Sequence, residues 1–249
     1  MKLIKIPYSQ SGTELAPEKV LSQLSKNLSE DGILPIFEID EIKVIITNSE
    51  ETNNNIYNQA KEILEQNIKP LFLGGDHSIT LPIMKAFREI YPQNPGIIIF
   101  DAHCDSLNDE DLIPYLAKII KKENVILVGN RTWNKDEFEF IKSNKIKYFS
   151  MKEIAQEGIH EISDAIMSVA KNFKDLYISI DIDVLDPAFA PGTGYIEPGG
   201  LTTRELLFFL HRLKKLKNIK AYDLVEINPK KDINNMTSKV GAKILVELC

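Results

Sequence analysis

Short apolar runs rich in β-branched residues alternate along the chain with longer stretches whose apolar positions recur at helical spacing. The runs at 3–6, 44–46, 70–73, 97–100, 125–128, 147–149, 176–182 and 221–227 predict strands. Between them the spacing predicts helices over 56–66, 79–90, 110–122, 135–143, 151–172, 203–217 and 237–248. Most of the strand runs are continuously apolar, the mark of strands buried on both faces. Strand and helix taking turns is the βαβ rhythm of a parallel sheet between helical layers. The expectation is a three-layer α/β/α fold with a roughly eight-stranded parallel sheet, as one domain over 1–249. The polar stretches at 53–55 and 214–220 are too short to be domain linkers.

Composition narrows the function classes. With 36 acidic against 30 basic side chains and a net charge of -6, the chain lacks the electrostatic footprint of a nucleic-acid or anionic-membrane partner, and a small cationic substrate suits it better. No run approaches the ~18 apolar residues of a membrane span. Cys104 and Cys249 cannot build a disulfide framework, and the opening segment has no apolar targeting core. A cytoplasmic location is therefore expected.

In open parallel sheets the chemistry gathers where strands end at their carboxyl edge. After 70–73 comes Gly74-Gly75-Asp76-His77-Ser78, after 97–100 comes Asp101-Ala102-His103-Cys104-Asp105, and after 176–180 comes Asp181-Ile182-Asp183. His77, His103, Asp101, Asp105, Asp181 and Asp183 thus arrive at one edge from three strands. Crowded carboxylates raise one another's pKa and cannot all ionise without a cation. Two imidazoles with four carboxylates and no obligatory thiolate suit a hard to borderline divalent ion such as Mn²⁺. Four carboxylates balance two such ions, which between them would acidify a shared water. Each run alone also reads as a turn or a helix cap; the convergence of three runs on one edge points to metal.

These runs carry a resemblance. Gly74-Gly75-Asp76-His77-Ser78-Ile79-Thr80, Asp101-Ala102-His103-Cys104-Asp105 and the segment from Ser179 through Asp181, Asp183, Asp186 and Pro187 to Gly194 resemble the three signatures of the ureohydrolase (arginase/agmatinase) family. The continuation Glu197-Pro198-Gly199-Gly200-Leu201-Thr202 is similar to the agmatinase version. The resemblance runs from Leu71 onward and implies a dimanganese site. In it His77 and Asp105 would hold one ion and His103 and Asp183 the other, with Asp101 and Asp181 bridging. Glu226, in Asp223-Leu224-Val225-Glu226-Ile227-Asn228-Pro229, matches the carboxylate that holds the guanidinium. The implied reaction hydrolyses an agmatine-like guanidino compound to urea and an amine, with Asp105 passing the proton to the departing amine. Arginase or another guanidino hydrolase is the nearest alternative. The resemblance also implies a homo-oligomer, a trimer or hexamer.

Two departures qualify the match. The Ser-His-Gly-type segment usual in the family after the second signature is missing, because Asp105 leads through 106–111 straight into a predicted helix. Tyr195 stands where a small hydroxyl residue is usual. The remaining histidines, His160 and His211, fall in predicted helices. A metal-binding regulatory subunit without turnover is the reading from another class. After Asn108, the three acids Asp109, Glu110 and Asp111 would repel a substrate carboxylate if they face the cleft, though Asn108 or Asp109 as a cap with acids in the first turn of a helix is equally ordinary. Cys104 is expected in packing and Cys249 as an inert or exposed thiol. Arg131, after another strand end, lines the cleft or makes a structural ion pair.

Overall fold

The computed structural model describes residues 1–9, 12–24, 28–106 and 111–249. Eight strands form one sheet: β1 (Lys2–Ile6), β2 (Glu38–Glu41), β3 (Pro70–Gly74), β4 (Pro95–Phe100), β5 (Val125–Val128), β6 (Lys147–Phe149), β7 (Asp175–Asp181) and β8 (Ile219–Val225). Their order is β2-β1-β3-β8-β7-β4-β5-β6, and every pairing is parallel. Because side chains alternate along a strand, the two faces feed two separate cores. Ile98, Phe100, Ile178, Ile180 and Leu224 face one core, which α1 (Ala16–Ser22), α6 (Met151–Glu157), α7 (Ile159–Ala170), α8 (Thr203–Leu213) and α9 (Met236–Leu248) cover. Phe72, Ile97, Ile99, Tyr177 and Ala221 face the other, under α2 (Ser49–Glu65), α3 (Thr80–Ile90), α4 (Leu112–Ile119) and α5 (Lys135–Ser143). The expected three-layer α/β/α architecture is what the chain adopts.

Two sequence expectations give way. The strand expected at 44–46 lies at Glu38–Glu41, a fully exposed edge strand without an apolar signal. Charge pairing with β1 substitutes for burial: Lys2 meets Asp40 at 2.9 Å and Lys5 meets Glu41 at 2.6 Å. The helix expected at 151–172 breaks at Gly158, whose φ of 89° an L side chain rarely adopts, giving α6 and α7. Elsewhere the ends move. α2 starts earlier than expected, on the Asn48 cap, α8 stops at Leu213, and α4 covers only Leu112–Ile119 of the span expected at 110–122. Helix α1 carries no prior expectation. Among the described residues no helix is long and apolar enough to cross a membrane.

The order of strands decides where the site is built. β3, β8, β7 and β4 are consecutive at the middle of the sheet, and each is followed by one of the runs singled out by sequence.

Candidate functional site

Each run turns sharply as it leaves its strand. Gly75 passes so close to the β1 edge that a Cβ there would lie 1.9 Å from the Tyr8 carbonyl oxygen, which only glycine permits. After β4, Asp101 Oδ1 accepts the His103 amide at 2.6 Å; after β7, Asp181 Oδ1 accepts the Asp183 amide at 2.9 Å. Asp183 Oδ1 in turn accepts the Ala102 amide at 3.0 Å, joining the second run to the third. The turn-forming reading and the ligand reading of these aspartates therefore coexist, since each carboxylate has a second oxygen.

Those second oxygens converge. Two groups of ligand-type atoms, each within 4.8 Å, are His77 with Asp101 and Asp181, and Asp101 with His103 and Asp183. Asp101 belongs to both: its Oδ2 lies 3.1 Å from His77 Nδ1 and its Oδ1 3.6 Å from His103 Nδ1. Asp181 Oδ2 lies 3.3 Å from His77 Nδ1, and Asp183 Oδ2 lies 2.8 Å from His103 Nδ1. Asp105 stands outside both groups on the more open side, 3.7 Å from His77 Nδ1.

The hydrogen-bond pattern behind His77 decides which nitrogen faces the carboxylates. Ser179 Oγ donates its one proton to Asp223 Oδ1 at 2.7 Å, because a carboxylate can only accept. His77 Nε2, 2.9 Å from the same hydroxyl, must then be the N–H that donates to it. In the neutral ring that leaves Nδ1 as a buried lone pair without a hydrogen-bond partner, facing two carboxylate oxygens at little more than 3 Å. Lone pair against anion is repulsive unless a cation lies between them. The donor set fits a divalent metal on this ground.

The electrostatics agree. Burial raises Asp105 to about 7, with the Asp101 charge adding to it, and the same causes raise Asp181 and Asp183. Burial works against the His103 imidazolium, yet Asp101 and Asp183 push it up to about 11. Asp101, although buried, is pulled down to about 2 by the imidazoles of His103 and His77 beside it. Without another cation, protonated rings are the positive charge available to the cluster.

Glu226 follows β8 in the left-handed region, φ 65°, and Asp105 has φ 37°. Such conformations cost a non-glycine residue about 1–3 kcal/mol and persist where surrounding contacts enforce them. At Glu226 the contacts are explicit. Its amide donates to Gly75 O at 2.7 Å, and its Oε1 accepts the His77 amide at 2.8 Å, so the carboxylate is held beside the first run. Burial raises it to about 7. A cavity of about 340 Å³ opens here, lined by Asp105, Glu226, Asp76, Asp111 and Glu137 among others.

The other candidates sort plainly. Cys104 is buried in the second core and Cys249 is part-exposed. Tyr195 is largely exposed, its ring 6.1 Å from that of His103. His160 packs edge-on against Phe208 and His211 binds Glu247 Oε2 at 2.7 Å, so neither supplies the missing loop histidine. Asn108, Asp109 and Glu110 lie outside the described residues; Asp111 is described and lines the cavity. Arg131 meets carbonyl oxygens of the loop after β7, where an ion pair or an open cleft position was expected.

Ser179 and Asp223 stood in the quoted segments, but their role escaped the sequence reading. Both are wholly buried, and Asp223 accepts from Thr80 Oγ1, Tyr177 OH and Ser179 Oγ. Their signal was a lone serine and a lone aspartate inside apolar strands, paired in register across β7 and β8.

Comparison with known proteins follows the geometry. The sequence profile of the arginase family matches residues 3–249. An arginase of Staphylococcus aureus is 32% identical, covering 94% of this chain and 90% of its own length. An agmatinase of Bacillus subtilis is also 32% identical, covering 95% of this chain and 84% of its own. Among solved structures, formimidoylglutamase from Bacillus subtilis superposes with a TM-score of 0.92 at 27% identity, over 99% of this chain and 85% of that one. Arginase from Bacillus cereus gives 0.86 at 26%, over 99% and 97%. With the profile spanning nearly every residue and relatives of matched length named for both arginase and agmatinase, the chain belongs to the arginase family.

Proposed function

We propose that this chain hydrolyses a small guanidino compound with a cationic or neutral tail, agmatine-like, to urea and an amine, using two Mn²⁺ ions. The observation that carries the reading is Asp101, whose two oxygens face two different imidazoles. His77, Asp181 and Asp105 would complete one ligand set and His103 and Asp183 the other. Bound divalent ions would supply the hydrolytic nucleophile by acidifying water.

The side chains do the rest. Four aspartates neutralise two dications, which leaves Glu226 as the one uncompensated carboxylate in the set. A guanidinium beside Glu226 would restore its ionised state against the burial that raises it, and a planar cation is what a carboxylate pairs with most tightly. The His77 amide holds Oε1, so the carboxylate plane is fixed before substrate arrives. Asp105, on the more open side of the cluster, would take up the proton released by the nucleophile and deliver it to the departing amine nitrogen.

Asp76, Asp111 and Glu137 along the cavity argue against an anionic tail, as in arginine or formimidoylglutamate. The test is urea release over a panel of guanidines with Mn²⁺, run beside Glu226→Gln. The reading expects kcat/KM for agmatine to exceed that for arginine, and the variant to lose about 10- to 100-fold with its metal content unchanged. One observation favours a second reading, a metal-binding subunit with little turnover: His160 and His211, the only other histidines, are engaged away from the cluster. Two bound ions with no urea from any guanidine would select it.

A further inference from the structure

We propose that Arg131 is a positioning residue that locks the second ligand run against the third, and so sets the geometry of the His103 and Asp183 half of the metal centre; the inference rests on the metal reading above. β5 contributes no ligand, yet the chain leaving it braces both neighbours. Gly129, at φ 95°, lets the backbone pass where a Cβ would lie 2.4 Å from Val184 Cγ2, beside the turn that carries Asp183. Asn130, wholly buried, donates from Nδ2 to the carbonyls of Asp101 at 3.2 Å and His103 at 2.5 Å.

Arg131 then reaches the other side. Nη2 donates to the carbonyl oxygens of Asp183 at 2.6 Å, Glu197 at 2.7 Å and Leu185 at 3.2 Å. Nη1 meets Val184 O at 3.2 Å and Gly129 O at 3.4 Å, and Nε meets Glu197 O at 3.1 Å. A guanidinium directed at consecutive carbonyls of a tight turn fixes that turn as a unit, which a lysine with one compact ammonium cannot do.

The contacts close a ring. The Arg131 amide donates to Ala102 O at 3.0 Å, the Ala102 amide donates to Asp183 Oδ1 at 3.0 Å, and the Arg131 side chain holds the Asp183 carbonyl. Asp183 is thus gripped at its main chain and at one carboxylate oxygen. What remains free is Oδ2, held 2.8 Å from His103 Nδ1. Among the described residues Arg131 makes no contact with His77, whose ring is held by Ser179 and, behind it, Asp223. The brace therefore bears most directly on the ion that His103 and Asp183 would hold.

The experiment is a Mn²⁺ titration of the metal-free full chain, read by calorimetry and by electron paramagnetic resonance, for wild type, Arg131→Met and Arg131→Lys. Wild type should bind two ions and show the spectrum of a coupled pair. Each variant should keep the first ion within a few-fold and bind the second about 10- to 100-fold more weakly, the usual cost of losing a supporting partner, leaving the hyperfine pattern of isolated Mn²⁺ at one equivalent and beyond. Should Arg131→Met fail to fold, Arg131→Lys carries the test. A folded variant with unchanged second-ion affinity and an intact coupled spectrum overturns the brace, as does equal weakening of both ions, which marks a merely structural role. Fewer than two ions in wild type overturns the metal reading itself, and the brace with it.

Discussion

At the residue scale, Asp101 is the side chain on which both ligand groups depend, because among the described residues no other belongs to both. Asp101→Asn should remove most bound metal, since one oxygen becomes an amide that can no longer face an imidazole lone pair across an ion. Elemental analysis that still finds two equivalents in this variant would refute the bridging role. Ser179 acts one step back, fixing which His77 nitrogen carries the proton. Ser179→Ala should weaken the first ion by about 10- to 100-fold while leaving the second nearly unchanged, the mirror image of the Arg131 variants. A Mn²⁺ titration that shows both ions weakened alike would contradict this division of labour.

At the scale of elements, α9 is tied down by a carboxylate that no site chemistry uses. Glu247 is wholly buried and accepts from the Glu30 amide at 2.9 Å, His211 Nε2 at 2.7 Å and Lys243 Nζ at 2.5 Å. Burial opposes its ionisation, but these donors prevail and hold its pKa below the usual value. A depressed carboxylate adds stability above its unfolded pKa, about 4.3 for glutamate, and loses it as pH falls through the folded value. Glu247→Gln should therefore lower stability at pH 7 by about 1–3 kcal/mol, with the gap from wild type closing as pH falls below about 4. Thermal melts showing a gap independent of pH would contradict it. What could be read from the sequence follows from the same physics of burial. The central strands were visible because burial on both faces makes their runs continuously apolar, whereas β2 was not, because charge pairs hold an edge that faces water. The ligand runs were visible because each directly follows a buried strand. The role of Asp223 was hidden because it depends on register between strands distant in sequence; Arg131 was singled out, but its partners were not, because no side-chain pattern announces main-chain carbonyls.

At the scale of the whole molecule, the strand order gathers four runs from distant parts of the chain at the centre of the sheet and leaves an acidic cavity over them. Charge in that cavity should govern substrate choice: replacing Glu137 or Asp111 by its amide should narrow the preference for agmatine over arginine several-fold, and an unchanged ratio of kcat/KM would place recognition elsewhere. With His160 and His211 engaged in the helical layer, His160→Ala and His211→Ala should leave the pH profile of the rate unaltered, and loss of a limb in either would show that a distant histidine moves the proton. The central claim is that a pair of ions at this edge hydrolyses a guanidino group. It is tested most directly by urea release from agmatine as Mn²⁺ is added stepwise to the metal-free chain. The account predicts little urea through the first equivalent and a rate that rises with the second; two equivalents bound with no urea from agmatine, arginine or any simpler guanidine would contradict it.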